Sequence, residues 1–61
     1  MLIDYAHPMM MAEQHQRKAH DAFLEHKWSE GKEELILAIA ELRIAALAAA
    51  HYEQQDKSKV Q

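Results

Sequence analysis

The chain has 61 residues, no cysteine, and a formal net charge of −3 with its five histidines neutral. A chain this short forms one domain, and without cysteine it has no disulfide, no thiolate metal ligand and no cysteine nucleophile. Its seven Lys and Arg residues are scattered, whereas binding to a nucleic-acid backbone needs a concentrated positive face. We therefore expect no nucleic-acid partner. The lack of cysteine fits a reducing compartment, so we expect a cytoplasmic location.

Residues 1–7 are predicted to form an extended N-terminal arm. Pro8 is the only proline, and proline suits the first position of a helix because its missing N–H would be unpaired there. The residue before a proline, His7, is biased away from helical backbone. The segment also lacks the basic flank and long apolar stretch of a signal peptide. We expect the first helix to begin at Pro8 and the chain not to be secreted.

The first helix is predicted at residues 8–26. At 100° per residue, its small and apolar side chains gather on one side and most of its charges lie elsewhere. Phe23 is the one large apolar residue of this inward side, which also holds Ala12 and Ala19. A short turn follows, with Ser29 as a possible N-cap, so the next helix should run antiparallel to the first.

The second helix is predicted at residues 29–54, which completes a helical hairpin over 8–54 and leaves a polar tail at 55–61. Two apolar sets fall on different sides of this helix. The first set, expected to pack on helix 1 as the intrachain core, extends back to the turn and consists of Trp28, Leu35, Ile39, Leu42, Ala46 and Ala49. The second set consists of Ile36, Leu37, Ala40, Ile44 and Leu47. A narrow polar strip around Glu34 and Glu41 is expected between them.

One partner helix covers only one of these sets, so the second set predicts self-association. Leaving large aliphatic side chains in water costs roughly 25 cal/mol per Å² of apolar area. The sequence therefore predicts an all-α hairpin that dimerises into a four-helix bundle through the second set. A bilayer span needs about 20 apolar residues. The apolar run 34–50 is shorter and contains Glu41 and Arg43, so we expect no membrane insertion.

Residues 19–38 resemble the turn region of tetratricopeptide-type hairpins and are similar to the hairpins of MIT-type domains. In that pattern an aromatic residue opens the second helix, and a small residue, a large apolar residue and an alanine follow at fixed spacing. Trp28, Gly31, Leu35 and Ala38 stand at those spacings, and Phe23 occupies a place that often carries an aromatic. The resemblance implies a helical hairpin that binds a protein or peptide.

The histidines invite a metal-binding interpretation, because histidine is a common metal ligand. Their spacing places no two of them one helical turn apart. An antiparallel hairpin would bring His51 and Glu53 back toward His7 or His15, which makes these four residues the candidate ligands. We favour a packing role for the histidines and expect no cofactor.

No nucleophile elbow and no glycine-rich phosphate loop occurs in the sequence. The predicted function is therefore that of a small non-enzymatic interaction or assembly module that acts as a homo-oligomer, with a dimer favoured. One alternative is a regulatory or inhibitor protein that binds a larger protein target through the exposed apolar face. A further alternative is a histidine-based metal-binding bundle.

Overall fold

The computed structural model describes residues 4–60, and the side chains of residues 4–56. Helix α1 spans Ala6–Leu24 and helix α2 spans Trp28–Val60. Ring contacts link the helices at both ends of α1: Tyr5 meets Tyr52, and Phe23 stacks on Trp28. The helices are therefore antiparallel, in a rod of 53 × 16 × 13 Å. The predicted all-α hairpin is confirmed.

Helix α1 begins at Ala6, two residues earlier than predicted. The Asp4 carboxylate accepts a hydrogen bond from the Ala6 N–H at 2.8 Å, which pairs one of the free amides of the first turn. Pro8 then lies within that first turn, where no helical N–H is required. The predicted arm is therefore wrong for residues 6 and 7, and residues 1–3 lie outside the described residues.

The turn between the helices is a Schellman motif. The Lys27 N–H donates to the Ala22 carbonyl at 2.8 Å, and the His26 N–H donates to the Phe23 carbonyl at 3.0 Å. His26 holds the left-handed position with φ 60°, which is usually taken by glycine. These bonds end α1 at Leu24, short of the predicted residue 26.

Helix α2 is longer than predicted at both ends. The Lys27 carbonyl already accepts from the Gly31 N–H at 3.0 Å, so Ser29 lies inside the first turn and is not its N-cap. At the other end the helix continues to Val60. The predicted polar tail is therefore helical as far as residue 60.

The core between the helices consists of alanine. Among the described residues the buried side chains that form it are Ala12, Ala19, Ala22, Ala38, Ala45 and Ala48. Small residues recur every seven positions, at Ala12 and Ala19 in α1 and at Gly31, Ala38 and Ala45 in α2. A seven-residue repeat keeps one side of a helix against its partner, and small side chains allow the backbones to approach closely.

Gly31 makes room for the ring of Phe23. A Cβ atom at this position would overlap the Phe23 ring. That ring stacks in turn on Trp28, with centroids 5.4 Å apart. The turn end of the hairpin is thus closed by one aromatic ring that lies directly on a glycine.

The predicted intrachain core is wrong for most of helix α2. Ala12 and Ala19 are buried and Phe23 is half-buried against α2, as expected. The six α2 residues of the first set, by contrast, are exposed: Trp28, Leu35, Ile39, Leu42, Ala46 and Ala49. The physical reason is that the prediction placed the largest side chains inward, whereas α1 packs on the side of α2 that carries the seven-residue repeat of small residues.

Candidate interaction surface

The outer surface of α2 is apolar over most of its circumference. Its large aliphatic side chains are 39% to 67% exposed, and they are Leu35, Ile36, Leu37, Ile39, Leu42, Ile44 and Leu47. Side chains of this type are normally buried in a monomeric protein, and a large exposed apolar area marks a binding surface. Helix α1 covers none of the seven fully because it packs on a different side of α2.

Two apolar faces flank the side of α2 that contacts α1. We call face A the row formed by Leu35, Ile39, Leu42, Ala46 and Ala49. We call face B the row formed by Leu37, Ala40, Ile44 and Leu47, with Ile36 at its edge. In both rows the residues are spaced alternately three and four apart, the spacing that carries a helix–helix contact along its length. Face B is the surface that the sequence predicted for self-association, and all of it is exposed.

The acidic residues within the apolar run lie on the inner side, and the expectation of an outer polar strip is wrong. Glu34 and Glu41 are each half-buried beside α1. Arg43 is the one exposed charged residue between positions 35 and 50. The outer surface of α2 is therefore more apolar than the sequence indicated.

His15 and Glu34 form the one described salt bridge that joins the two helices. His15 Nδ1 lies 2.6 Å from Glu34 Oε2, and their side chains are 14% and 26% exposed. Because an ionised carboxylate only accepts, the ring N–H donates to it. A polar pair in an otherwise apolar contact fixes which residues face each other. We assign this pair to the alignment of α1 on α2.

The histidine and acidic residues do not assemble into a metal site. Among the described residues no three His, Asp or Glu side chains are placed to hold a metal ion together. Of the four candidate ligands, His15 pairs with Glu34 and His51 accepts a hydrogen bond from the Gln55 side chain. Among the described residues no hydrogen bond or ion pair joins His51 or Glu53 to His7 or His15.

One open cleft lies at the far end from the turn. It is lined by Tyr5 of the N-terminal segment and by Ala49, Tyr52, Glu53 and Asp56 of α2. The two tyrosine rings meet edge to face with centroids 6.3 Å apart. This contact anchors the start of α1 against α2, and α2 continues beyond it for about two turns.

Helix α2 is longer than the apolar run 34–50, whose shortness led us to expect no membrane insertion. The stretch Trp28–Asp56 is long and apolar enough to cross a bilayer by length and composition, with a mean hydropathy of 1.6 in its apolar window. Only 17% of that window is buried inside the hairpin. The same surface therefore suits either a protein contact or a lipid contact, and experiments must separate the two.

Comparison of the chain with protein-family models, with curated proteins and with solved structures gives no match.

Proposed function

We propose that this protein is a small non-enzymatic assembly module, located in the cytoplasm, whose hairpins associate through face B of α2. The observation that carries the proposal is the row of exposed aliphatic side chains on α2, for which α1 provides no cover. A second copy of the chain provides the same row, and symmetric dimers are the commonest protein assemblies. Helix α1 then lies on the outside, where most of its exposed positions are polar.

The surface area of the hairpin supports association. The chain exposes 5223 Å² at a mass of 7.1 kDa, whereas a compact monomer of that mass exposes about 4,100 Å². The excess is on the order of 1,000 Å², and a stable interface buries about 800 Å² on each partner. Association therefore removes about as much surface as the elongated shape adds.

Face B is complementary to itself in an antiparallel arrangement. Leu37 and Leu47 lie five residues on either side of Leu42, and Ala40 and Ile44 lie two residues on either side. A two-fold axis at the level of Leu42 therefore sets Leu37 against the partner's Leu47 and the small Ala40 against the partner's Ile44. Large side chains opposite small ones fill the space between helices efficiently.

Sedimentation equilibrium over a hundredfold range of concentration tests the proposal. We expect the wild-type chain to exceed the monomer mass, and Leu47→Asp to weaken association at least roughly a hundredfold, because the interface would bury an unpaired carboxylate. Leu24→Asp is the matched control: it makes the same change at the same exposure, 69% against 67%, but on α1. An unchanged mass for the Leu47 variant overturns the assignment of face B.

A wild-type monomer would overturn self-association altogether. Two further measurements then identify what covers α2. Co-sedimentation with phosphatidylcholine vesicles would indicate a lipid surface. Binding of a hydrophobic dye without vesicle binding would indicate a different protein target, as a regulatory or inhibitor protein requires.

A further inference from the structure

Face A is a second apolar surface that the proposed dimer leaves exposed. Leu35, Ile39 and Leu42 are 39%, 59% and 43% exposed. Face A and face B lie on opposite flanks of α2, each about a quarter turn or slightly more from the side that contacts α1. A helix packed on face B therefore does not cover face A. A helix with apolar side chains all round is typical of the interior of an assembly.

Face A is also complementary to itself about the level of Leu42. Leu35 and Ala49 lie seven residues on either side of Leu42, and Ile39 and Ala46 lie three and four residues away. An antiparallel second copy therefore sets Leu35 opposite the partner's Ala49 and Ile39 opposite the partner's Ala46. The Leu42 side chains of the two copies meet at the two-fold axis. This is the alternation of large and small residues that lets facing helices interdigitate.

The charges at the two ends of face A match in the same arrangement. Lys32 lies three residues before Leu35, and Glu53 lies four residues after Ala49, so both continue the row. Both side chains are exposed. Lys32 lies ten residues before Leu42 and Glu53 eleven after it, so each Lys32 faces the partner's Glu53. Within one chain the two residues are about 31 Å apart along the helix axis, too far to interact.

We propose that face A is a second two-fold interface between copies of this chain, so that each α2 contacts two other α2 helices. This inference rests on the proposed self-association through face B and extends it. The axes of both interfaces pass α2 within about one residue of Leu42, which is about 1.5 Å along the helix. Because the two faces lie on opposite flanks of α2, the two axes are nearly parallel, so the two interfaces alternate along an open row of hairpins and do not close at four copies.

A charge exchange tests the arrangement without changing the apolar core. In Lys32→Glu the partner's Glu53 meets a like charge, and in Glu53→Lys the partner's Lys32 does. We expect each variant alone to associate through face A roughly tenfold more weakly than the wild type, since two opposite-charge pairs become two like-charge pairs. Mixing the two variants makes both pairs opposite in the mixed complex, so association should return to the wild-type level.

An effect within a single chain does not explain this rescue. Each chain in the mixture still carries two charges of the same sign at positions 32 and 53. Native mass spectrometry of the mixture, with one variant isotope-labelled, should show mixed assemblies in excess over the statistical ratio. A statistical ratio, or single variants that associate like the wild type at low salt, overturns the antiparallel pairing on face A.

A second pair of variants separates this inference from the proposed function. Ile39→Asp on face A should reduce the larger wild-type assembly to a dimer held by face B, and Leu47→Asp on face B should leave a dimer held by face A. The double variant should be a monomer. If Ile39→Asp leaves the mass unchanged while Leu47→Asp lowers it, face A is not an interface and the proposed function stands. If only Ile39→Asp lowers the mass, face B is the wrong surface. The helical circular-dichroism signal shows whether each variant is folded.

Discussion

The two helices of this hairpin are alike on their inner sides and differ on their outer sides. On the inner side both are lined mainly by small residues, with six buried alanines between them. On the outer side α1 is mostly polar from Glu13 to Asp21, whereas α2 carries one exposed charge between residues 35 and 50. The leucines and isoleucines of α2 thus contribute little to the contact between the chain's own helices. This distribution is the one that the proposed assembly requires, with α2 as its contact surface and α1 packed against the other side of α2.

Enlarging an inner alanine should have the greatest effect on the contact between α1 and α2. Ala38 is 2% exposed, so Ala38→Leu forces α1 and α2 apart and should lower the free energy of unfolding by about 3 kcal/mol. Ala50→Leu makes the same change at an exposed position of α2 outside faces A and B, and should lower it by less than about 0.5 kcal/mol. Thermal unfolding at fixed chain concentration measures both. Equal effects of the two variants would show that the inner side is not tightly packed.

Because Phe23 lies on Gly31, the effect of Gly31→Ala on stability should depend on whether the Phe23 ring is present. Alanine favours a helix over glycine by about 1 kcal/mol. Gly31→Ala should nevertheless destabilise the hairpin by about 1 kcal/mol, because its Cβ displaces the Phe23 ring. In a Phe23→Ala background the obstacle is absent, so the same substitution should stabilise by about 1 kcal/mol. A double-mutant cycle by chemical denaturation measures the coupling, and additive effects would contradict the close approach.

Two glutamates, Glu34 and Glu41, lie half-buried on the inner side of α2 and should differ in their effect on stability. Glu34→Ala removes the hydrogen-bonded partner of His15 and should cost about 1 kcal/mol. Glu41 has no described hydrogen bond within residues 4–56. Glu41→Ala should therefore be neutral or stabilise by about 0.5 kcal/mol, because it extends the alanine contact and improves helix propensity. Denaturation midpoints measured side by side decide the matter, and a larger loss for Glu41 would reverse the assignment.

The smallest expected effect is at the turn. His26 has φ 60°, where glycine is favoured. Its ring also stacks on Trp28 with centroids 5.9 Å apart. His26→Gly relieves the backbone and loses the ring contact, so we expect a net gain of about 0.5 kcal/mol. His26→Ala loses the ring contact without the relief and should destabilise. A thermal shift of the same sign for both variants would mean that the ring contact dominates.

The sequence predicted the hairpin but not the sides on which its helices meet. One proline, one glycine and two amphipathic segments are enough to indicate two antiparallel helices. The sequence-based prediction places the largest side chains of α2 inward, whereas its small residues face α1. The signal that identifies the inner side is the recurrence of small residues every seven positions, at Gly31, Ala38 and Ala45. Ala12 and Ala19 of α1 are also seven residues apart, so the two helices can pack together along their small residues.

The remaining errors have local causes that composition does not reveal. The early start of α1 depends on a hydrogen bond from the Ala6 N–H to the Asp4 side chain, and an aspartate four positions before a proline is a weak pattern. The inward placement of Glu34 depends on His15, which lies nineteen residues away. Only the three-dimensional pairing of the helices brings those two groups together. The exposure of face B, by contrast, was predictable. Helix α2 has more apolar residues around its circumference than one partner helix covers.

The alanine core has a consequence for the entropy of folding. Alanine has no side-chain rotamers to lose on burial, whereas Leu and Ile each lose about 0.5–1 kcal/mol of rotamer freedom. The contact between α1 and α2 therefore forms while ordering few flexible aliphatic side chains. That ordering cost falls instead on the exposed leucines and isoleucines of α2, at the moment when another molecule covers them.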